Sequence, residues 1–335
     1  MIGPRLQQPI GNVAFTSGRR GNPLQVPKFG LGYQILLHYS GVMTFSQPAG
    51  AAAPSLTGGG PWNLAQSTFL TVNGLSYDAQ LSGYGQMVET ILATRSALNA
   101  TAPVPAANGG TQTVVTDENW SWDVLLQLAT SEQDHDAPVG LLNFQNQSVQ
   151  AYLNVQWASE SDILKLPNST TATFVGGVEA RLVAMEAPTT TKGYKAIAPW
   201  LAQLHTWEEV PAVIQAGVAK PRIQLPVGQV YSRIAVQLRY NGSPDLTNAS
   251  GLENIDLNYG GFHQIDDSAA SLQFAAAGRY HGNLPADVYL LDMSRNLPNE
   301  LLDARNLPQL NLDLQFSAAP ANSSVTLLLE RYRNA

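Results

Sequence analysis

Val230-Tyr231-Ser232-Arg233-Ile234-Ala235-Val236-Gln237-Leu238-Arg239-Tyr240 places Val230, Ile234, Val236, Leu238 and Tyr240 on one parity and Arg233, Gln237 and Arg239 on the other. Apolar residues at every second position put one face of an extended chain on a core and leave the other for something else. The same rhythm returns in Trp120, Trp122, Val124, Leu126 and Leu128, in Val149, Ala151, Leu153, Val155 and Trp157, and in Leu310, Leu312, Leu314 and Phe316. Helical spacing would scatter each set around a cylinder. These stretches are strands.

Further strands are expected at residues 33–45, 67–73, 111–116, 139–144, 252–259, 288–293 and 324–332, and at 171–185 as two strands divided at Gly176-Gly177. Turn formers separate them, among them Asn73-Gly74, Asn241-Gly242 and Gly260-Gly261. Helices are few. Residues 85–98 and 268–277 suit short ones, the second capped by Asp267 or Ser268. Within 194–217, Thr206-Trp207-Glu208-Glu209 has capping-box spacing and Pro211 falls in the first turn or two. Residues 47–61 and 99–110 read as low-complexity loops, solvated excursions from the first half.

The two halves repeat one order of features. Each opens with a long strand ending in Tyr39-Ser40-Gly41 or Tyr240-Asn241-Gly242, continues to a strand closed by a glycine turn, then a helix, then a proline before another strand. The offset between matching features falls from about 201 to about 187 to about 148, as it would if the first half carried longer loops. The expected fold is all-β, two tandem eight-stranded jelly-roll β-sandwiches with a few short helices. The expected domains are a basic N-terminal arm at 1–30, a first jelly roll at 31–190, a helical linker at 191–220 and a second jelly roll at 221–335.

Composition points to assembly. Charged residues make up only 13% of the 335, about half the usual share. Uncharged polar surface is cheaper to bury against a neighbour than ionised surface. There is no cysteine, hence no disulfide, thiolate nucleophile or cysteine metal site. No apolar run is long enough to cross a bilayer and the N-terminus lacks a hydrophobic signal core, so the chain reads as soluble and cytosolic. The net charge of −7 is uneven: residues 1–30 hold Arg5, Arg19, Arg20 and Lys28 and no acid. A basic arm before an acidic body suits a segment lying on a neighbouring subunit, on anionic lipid or on nucleic acid, although the acidic body argues against sequence-specific nucleic-acid binding.

Signs of catalysis are sparse. His38, His135, His205, His263 and His281 are scattered, with Asp134-His135-Asp136 the one tight acid–histidine cluster, read as a solvated loop. Asp266-Asp267 reads as a helix start. Glu89, Glu179 and Glu186 could be imagined as a glycosidase pair, but nothing in their spacing fixes two of them at the required separation. Nucleophile-elbow, phosphate-cradling and dinucleotide motifs are missing. Trp120, Trp122 and Trp157 could form a sugar-stacking platform, yet their alternation favours a core.

Several stretches carry a family resemblance: Ile35-Leu36-Leu37-His38-Tyr39-Ser40-Gly41; Pro61-Trp62-Asn63-Leu64 with Phe69-Leu70-Thr71-Val72-Asn73-Gly74; Gly140-Leu141-Leu142-Asn143-Phe144; and Val288-Tyr289-Leu290-Leu291-Asp292-Met293 with Leu301-Leu302-Asp303-Ala304-Arg305. Over residues 30–335 the chain resembles the double jelly-roll major capsid proteins of tailless icosahedral viruses, bacteriophages among them, the tectivirus-like group related to adenovirus hexon. The resemblance implies a homotrimer with pseudo-sixfold outline, neighbouring trimers and minor capsid and vertex proteins as partners, an internal membrane beneath the shell, and an arm on the inner side. It places the chain in the virion, made in the host cytoplasm, with no enzymatic activity and no cofactor. Arg5, Arg19, Arg20 and Lys28 are then the inner-face contacts, and removing residues 1–25 should leave trimers folded but impair assembly. The alternatives are a carbohydrate-binding jelly-roll module and a glycoside-active enzyme.

Overall fold

Alternating residues become long antiparallel strands, because each pleated strand buries one parity of side chains and satisfies its backbone against two neighbours. The computed structural model describes residues 5–76, 81–130, 140–167, 169–186, 193, 195, 203–214, 217–259, 262–293, 301–320 and 322–334. The chain forms two compact units: Met1–Thr90, Leu98–Leu128 and Leu142–Ala196 make the first, and Ile91–Ala97, Ala129–Leu141 and Ile197–Ala335 the second.

In the first unit the elements are β1 (Arg5–Ala14), β2 (Leu24–Gln25), β3 (Leu31–Gln47), β4 (Ser55–Leu56), β5 (Ala65–Val72), β6 (Leu75–Ser76), α1 (Gly83–Thr94, of which the part from Ile91 is counted with the second unit), β7 (Val114–Gln127), β8 (Leu142–Asn143), β9 (Ala151–Trp157), α2 (Glu160–Ile163), β10 (Leu164–Lys165) and β11 (Thr171–Met185). The second holds β12 (Gln203–Val213), β13 (Arg222–Leu225), β14 (Val230–Tyr240), β15 (Ser243–Pro244), β16 (Leu252–Tyr259), β17 (Phe262–Ser268), α3 (Ala269–Arg279), β18 (Val288–Asp292), β19 (Leu302–Asp303), β20 (Leu310–Phe316) and β21 (Ser323–Asn334).

The strand orders coincide. The large sheet of the first unit runs β1-β11-β3-β7, and that of the second runs β12-β21-β14-β18. The small sheets run β2-β9-β5-β6 and β13-β20-β16-β17. Even the short strands correspond: β8 pairs the start of β3 through Leu31 and Asn143, as β19 pairs the start of β14 through Val230 and Asp303. Each unit is an eight-stranded jelly roll, and the pair is the tandem arrangement expected. In the second roll Tyr231, Ile234, Val236 and Leu238 of β14 pack with Leu252, Ile255 and Leu257 of β16 and Leu310, Leu312 and Leu314 of β20. A bulge between Tyr231 and Arg233 flips the parity at the start of β14, so that Tyr231 and not Val230 enters the core.

Four expectations need correction. Thr206, Trp207, Glu208 and Glu209 lie in strand β12, not in a linker helix at 191–220. Among the described residues β12 pairs with β21 alone, which makes it an edge strand, where a proline such as Pro211 is tolerated. Residues 5–14, expected within the basic arm, form β1, which pairs along its length with β11 and is likewise an edge strand holding Pro9. Residues 171–185 are one strand. Gly176 and Gly177 are places of close approach, where a Cβ would strike the carbonyls of Ser40 and Val13. The strands expected at 111–116 and from Trp120 to Leu128 merge into the single strand β7, Val114–Gln127.

Candidate assembly surfaces

The four predicted basic residues are not brought together. Arg5 begins β1 opposite Met185, which itself faces Leu31, and its guanidinium lies 4.3 Å from the Tyr33 ring centroid. Lys28 Nζ donates to the carbonyls of Asn146 and Gln147 at 3.4 and 3.2 Å, in the loop before β9. Arg20 sits beside Gln156 at the far end of β9, donates to Asn154 Oδ1 and stacks 5.2 Å from the Phe69 centroid. Arg19 neighbours it, its carbonyl accepting from Trp157 N at 2.9 Å. Arg5 and Lys28 therefore mark one end of the first roll, and Arg19 and Arg20 the other.

The large sheets differ on the faces turned away from their own cores. In the second roll that face is buried at Ala235, Leu328, Val288 and Leu290 and opens toward Pro211 and Val213 at the far end of β12. Across it runs a row of polar and charged side chains. His205 Nε2 meets Glu330 Oε1 at 2.8 Å, Arg233 Nη1 lies 3.3 Å from Glu330 Oε2, and Arg233 Nε lies 4.0 Å from Asp292. Arg279 Nη1 and the Tyr280 hydroxyl reach Asp292 Oδ2 at 2.8 and 3.2 Å. Buried charges persist only when paired in this way. In the first roll the corresponding face is closed at Leu125, Gln127 and Val183 and open around His38, Ser40, Asp123 and Arg181. His38 pairs with Asp123 at 2.8 Å and Arg181 with Glu179 at 2.6 Å, around a depression of about 500 Å³ lined by Gln7, Leu36, His38, Asp123, Glu179 and Arg181.

The small sheets carry a second contrast. In the second roll Arg222, Asp313, Asp256 and Asp266 face one another in a row across four strands. Like charges side by side are held by Arg222, bidentate on Asp313 at 2.7 and 2.6 Å, by His263 on Asp256 at 2.8 Å, and by the Asn254 and Asn258 amides. The Arg222 hydrogen bond holds the Asp313 carboxyl below its ordinary range, and the Asp256 hydrogen bond raises the His263 imidazole. At the Asp313 position the first roll has Asn154, which also receives an arginine, and at the Asp256 position it has Phe69.

Two features were invisible in the sequence. The expected solvated loops are stitched together by buried Asn108, whose amide donates to the carbonyls of Gln47, Pro48 and Gln112 at 3.1, 3.0 and 2.8 Å. The free edge of β7 is capped by α1: Thr90 Oγ1 accepts from Leu125 N at 3.0 Å and Glu89 Oε1 from Gln127 N at 2.6 Å. An edge covered this way cannot recruit a stray strand.

The same geometry removes the catalytic readings. Buried Glu89 is committed to β7. Glu179 lies within β11 and Glu186 directly after it, about 23 Å apart by strand rise, against the roughly 5 to 10 Å of a glycosidase pair. Trp120, Trp122 and Trp157 are buried, with Tyr39 stacked on Trp122 at 5.2 Å and edge-on to Trp157 at 5.9 Å, so they offer no sugar platform. Ser268, not Asp267, caps α3, and Asp266 and Asp267 lie in β17. His281 adopts a left-handed turn conformation. Asp134, His135 and Asp136 lie outside the described residues. Among the described residues no group of His, Asp and Glu could hold a metal, and no helix is long and apolar enough to span a membrane.

Against solved structures the chain aligns almost end to end with viral shell proteins. It matches the major capsid protein of Sulfolobus Turreted Icosahedral Virus with a TM-score of 0.70 at 16% identity, covering 98% of this chain and 97% of that one. The fold is that of a double jelly-roll capsid protein. The double jelly roll is shared equally by the bacteriophage PM2 major capsid protein (TM-score 0.57, 11% identity, 99% and 98% covered). The Faustovirus major capsid protein has it too (TM-score 0.61, 8% identity, 99% and 90% covered). No protein-family model matches the chain. No curated protein matches it by sequence. The fold is thus shared at sequence identities of 8 to 16%.

Proposed function

We propose that the chain is a viral major capsid protein, a homotrimeric, pseudo-hexameric building block of an icosahedral shell. The observation that carries this is the two-roll match to capsid proteins over 98% of the chain. The low charge content supports it, since many weak contacts between near-neutral surfaces sum by multivalency while each stays reversible. Its partners are copies of itself, minor capsid and vertex proteins, and the lipids of an internal membrane. It acts by assembly and not by catalysis.

Arg5 and Lys28, at one end of the first roll, serve as the inner-face contacts to lipid headgroups or adjoining trimers, while Arg19 and Arg20 serve neighbours at the opposite end. Because β1 is an integral strand, deleting residues 1–25 would strip the edge of the large sheet, so point substitutions are the proper probe. Arg5→Glu with Lys28→Glu should leave trimers intact and reduce shell assembly. Negative-stain images of the purified protein test the reading as a whole. Hexagonal-outlined particles support it, and separate single chains at all concentrations would refute it.

A further inference from the structure

We propose that the outer edge of β18, which faces a cavity beside α3, binds a short extended segment of a basic partner polypeptide. The segment would add to the second roll as one more strand. The proposal does not depend on how copies of this chain meet.

The site comes to light through the duplication. Both roll helices begin at a serine cap: Ser82 Oγ accepts from Gly85 N at 3.1 Å, and Ser268 Oγ from Ser271 N at 3.2 Å. Counted from these caps, Glu89 and Thr90 of α1 correspond to Ala275 and Ala276 of α3. Glu89 and Thr90 are the two side chains that close the edge of β7, through Gln127 N and Leu125 N. β18 holds the matching place in the second roll. Its Leu290 and Asp292 stand opposite Ala235 and Arg233 of β14, as Leu125 and Gln127 stand opposite Leu36 and Gln34 of β3. An alanine side chain cannot accept from an amide, so α3 lacks the caps that α1 supplies.

The ladder fixes where the backbone of β18 points. Met293 N donates to Ser232 O at 3.0 Å and Leu238 N to Asp287 O at 2.9 Å. Bonded and non-bonded pairs alternate along an antiparallel ladder, so Leu290, opposite Ala235, turns its N–H and C=O away from β14. Among the described residues no strand pairs with β18 on that side. A cavity of about 580 Å³ lies there instead, with Leu290, Leu291, Ala275 and Ala276 in its wall. An extended segment offers a carbonyl and an amide at the spacing this edge requires. The charge of the cavity selects the kind of segment. Asp266, Asp267 and Asp292 line it against one cation, Arg279, which lies 2.8 Å from Asp292. That excess of carboxylates suits lysine or arginine and repels an acidic segment or a lipid phosphate. Leu272 and Met293 supply apolar ground for the stem of a basic side chain.

The probe is a fluorescein-labelled Val-Lys-Val-Lys peptide with blocked ends, titrated with the full chain and followed by anisotropy. It should bind saturably, and about tenfold more tightly than its Val-Glu-Val-Glu counterpart. It should also outcompete n-butylammonium, which carries the charge without the backbone. Hydrogen exchange over β18 should slow when the lysine peptide is bound. Ala275→Gln with Ala276→Thr returns to α3 the acceptors that α1 has, and should weaken the peptide about tenfold. Asp267→Asn tests the charge without refilling the cavity, and should weaken the lysine peptide while sparing a Val-Gln-Val-Gln control. Absence of saturable binding, equal binding of the lysine and glutamate peptides, or unchanged exchange over β18 would overturn the proposal. Butylammonium binding as tightly as the peptide would overturn it too, by making the cavity a site for a small cation.

Discussion

The two rolls share a topology and differ in what they do with the same positions. At the start of the large sheets, Gln127, Gln34 and Val183 stand side by side in the first roll, and Asp292, Arg233 and Glu330 in the second. In the first set Gln127 and Val183 are buried and Gln34 is half-buried, and none of the three carries a charge. The second lies on a face that is closed, and its charges survive because each has a partner within the row. The same buried row can be built without ions, or with them when each is paired.

That contrast can be broken in order of severity. Arg233→Met leaves Glu330 and Asp292 buried without their shared cation and should cost roughly 3 to 5 kcal/mol of unfolding free energy, whereas Gln34→Met should stay within about 1 kcal/mol. Chemical denaturation of both variants measures the gap, and equal losses would show that the charge row is not what holds the second sheet. Next comes the helix pair. Val88→Asp should cost more than about 3 kcal/mol by forcing a carboxylate into a closed site, while Phe274→Asp should leave thermal stability within about 0.5 kcal/mol. At the caps the rolls should behave alike, with Ser82→Ala and Ser268→Ala each losing about 1 kcal/mol.

The smallest effect is one of pH and belongs to the second roll. His263 holds its proton more tightly when folded, through Asp256 and with Asp266 and Asp313 nearby. Its contribution is full below the unfolded pKa of about 6.5 and fades as pH rises through the raised folded value. Asp313 is held below its ordinary 3.8 by Arg222, so its contribution is present above that value and is lost as pH falls through the folded one. His263→Gln should therefore flatten the fall in melting temperature on the alkaline side and leave the acid side unchanged. Phe69, at the Asp256 position of the first roll, carries no titratable group, so that position contributes no matching dependence.

Much of this was legible in the residues. Strict alternation in 310–316 placed β20 to the residue, because one-sided burial stamps period two on a sequence, and the run 252–259 matched β16 despite a bulge near Leu252. Edge strands were the failures. β1 and β12 have a partner on one side only, tolerate Pro9 and Pro211 and alternate weakly, so Thr206-Trp207-Glu208-Glu209 imitated a helix start. β17, beginning at exposed Phe262 and carrying Asp266 and Asp267, hid for the same reason. The charge row linking His205, Arg233, Asp292 and Glu330 joins residues far apart in the chain, and no local pattern announces it. The basic residues of the first thirty were easy to find and wrongly pooled, because proximity in sequence says nothing of which end of a roll a strand delivers them to.

The mass of the purified chain in solution bears most directly on whether these unequal rolls exist to meet copies of themselves. Multi-angle light scattering over a range of concentrations should give a species of three 35.9 kDa chains. A mass of one chain, unchanged as concentration rises, would contradict the account.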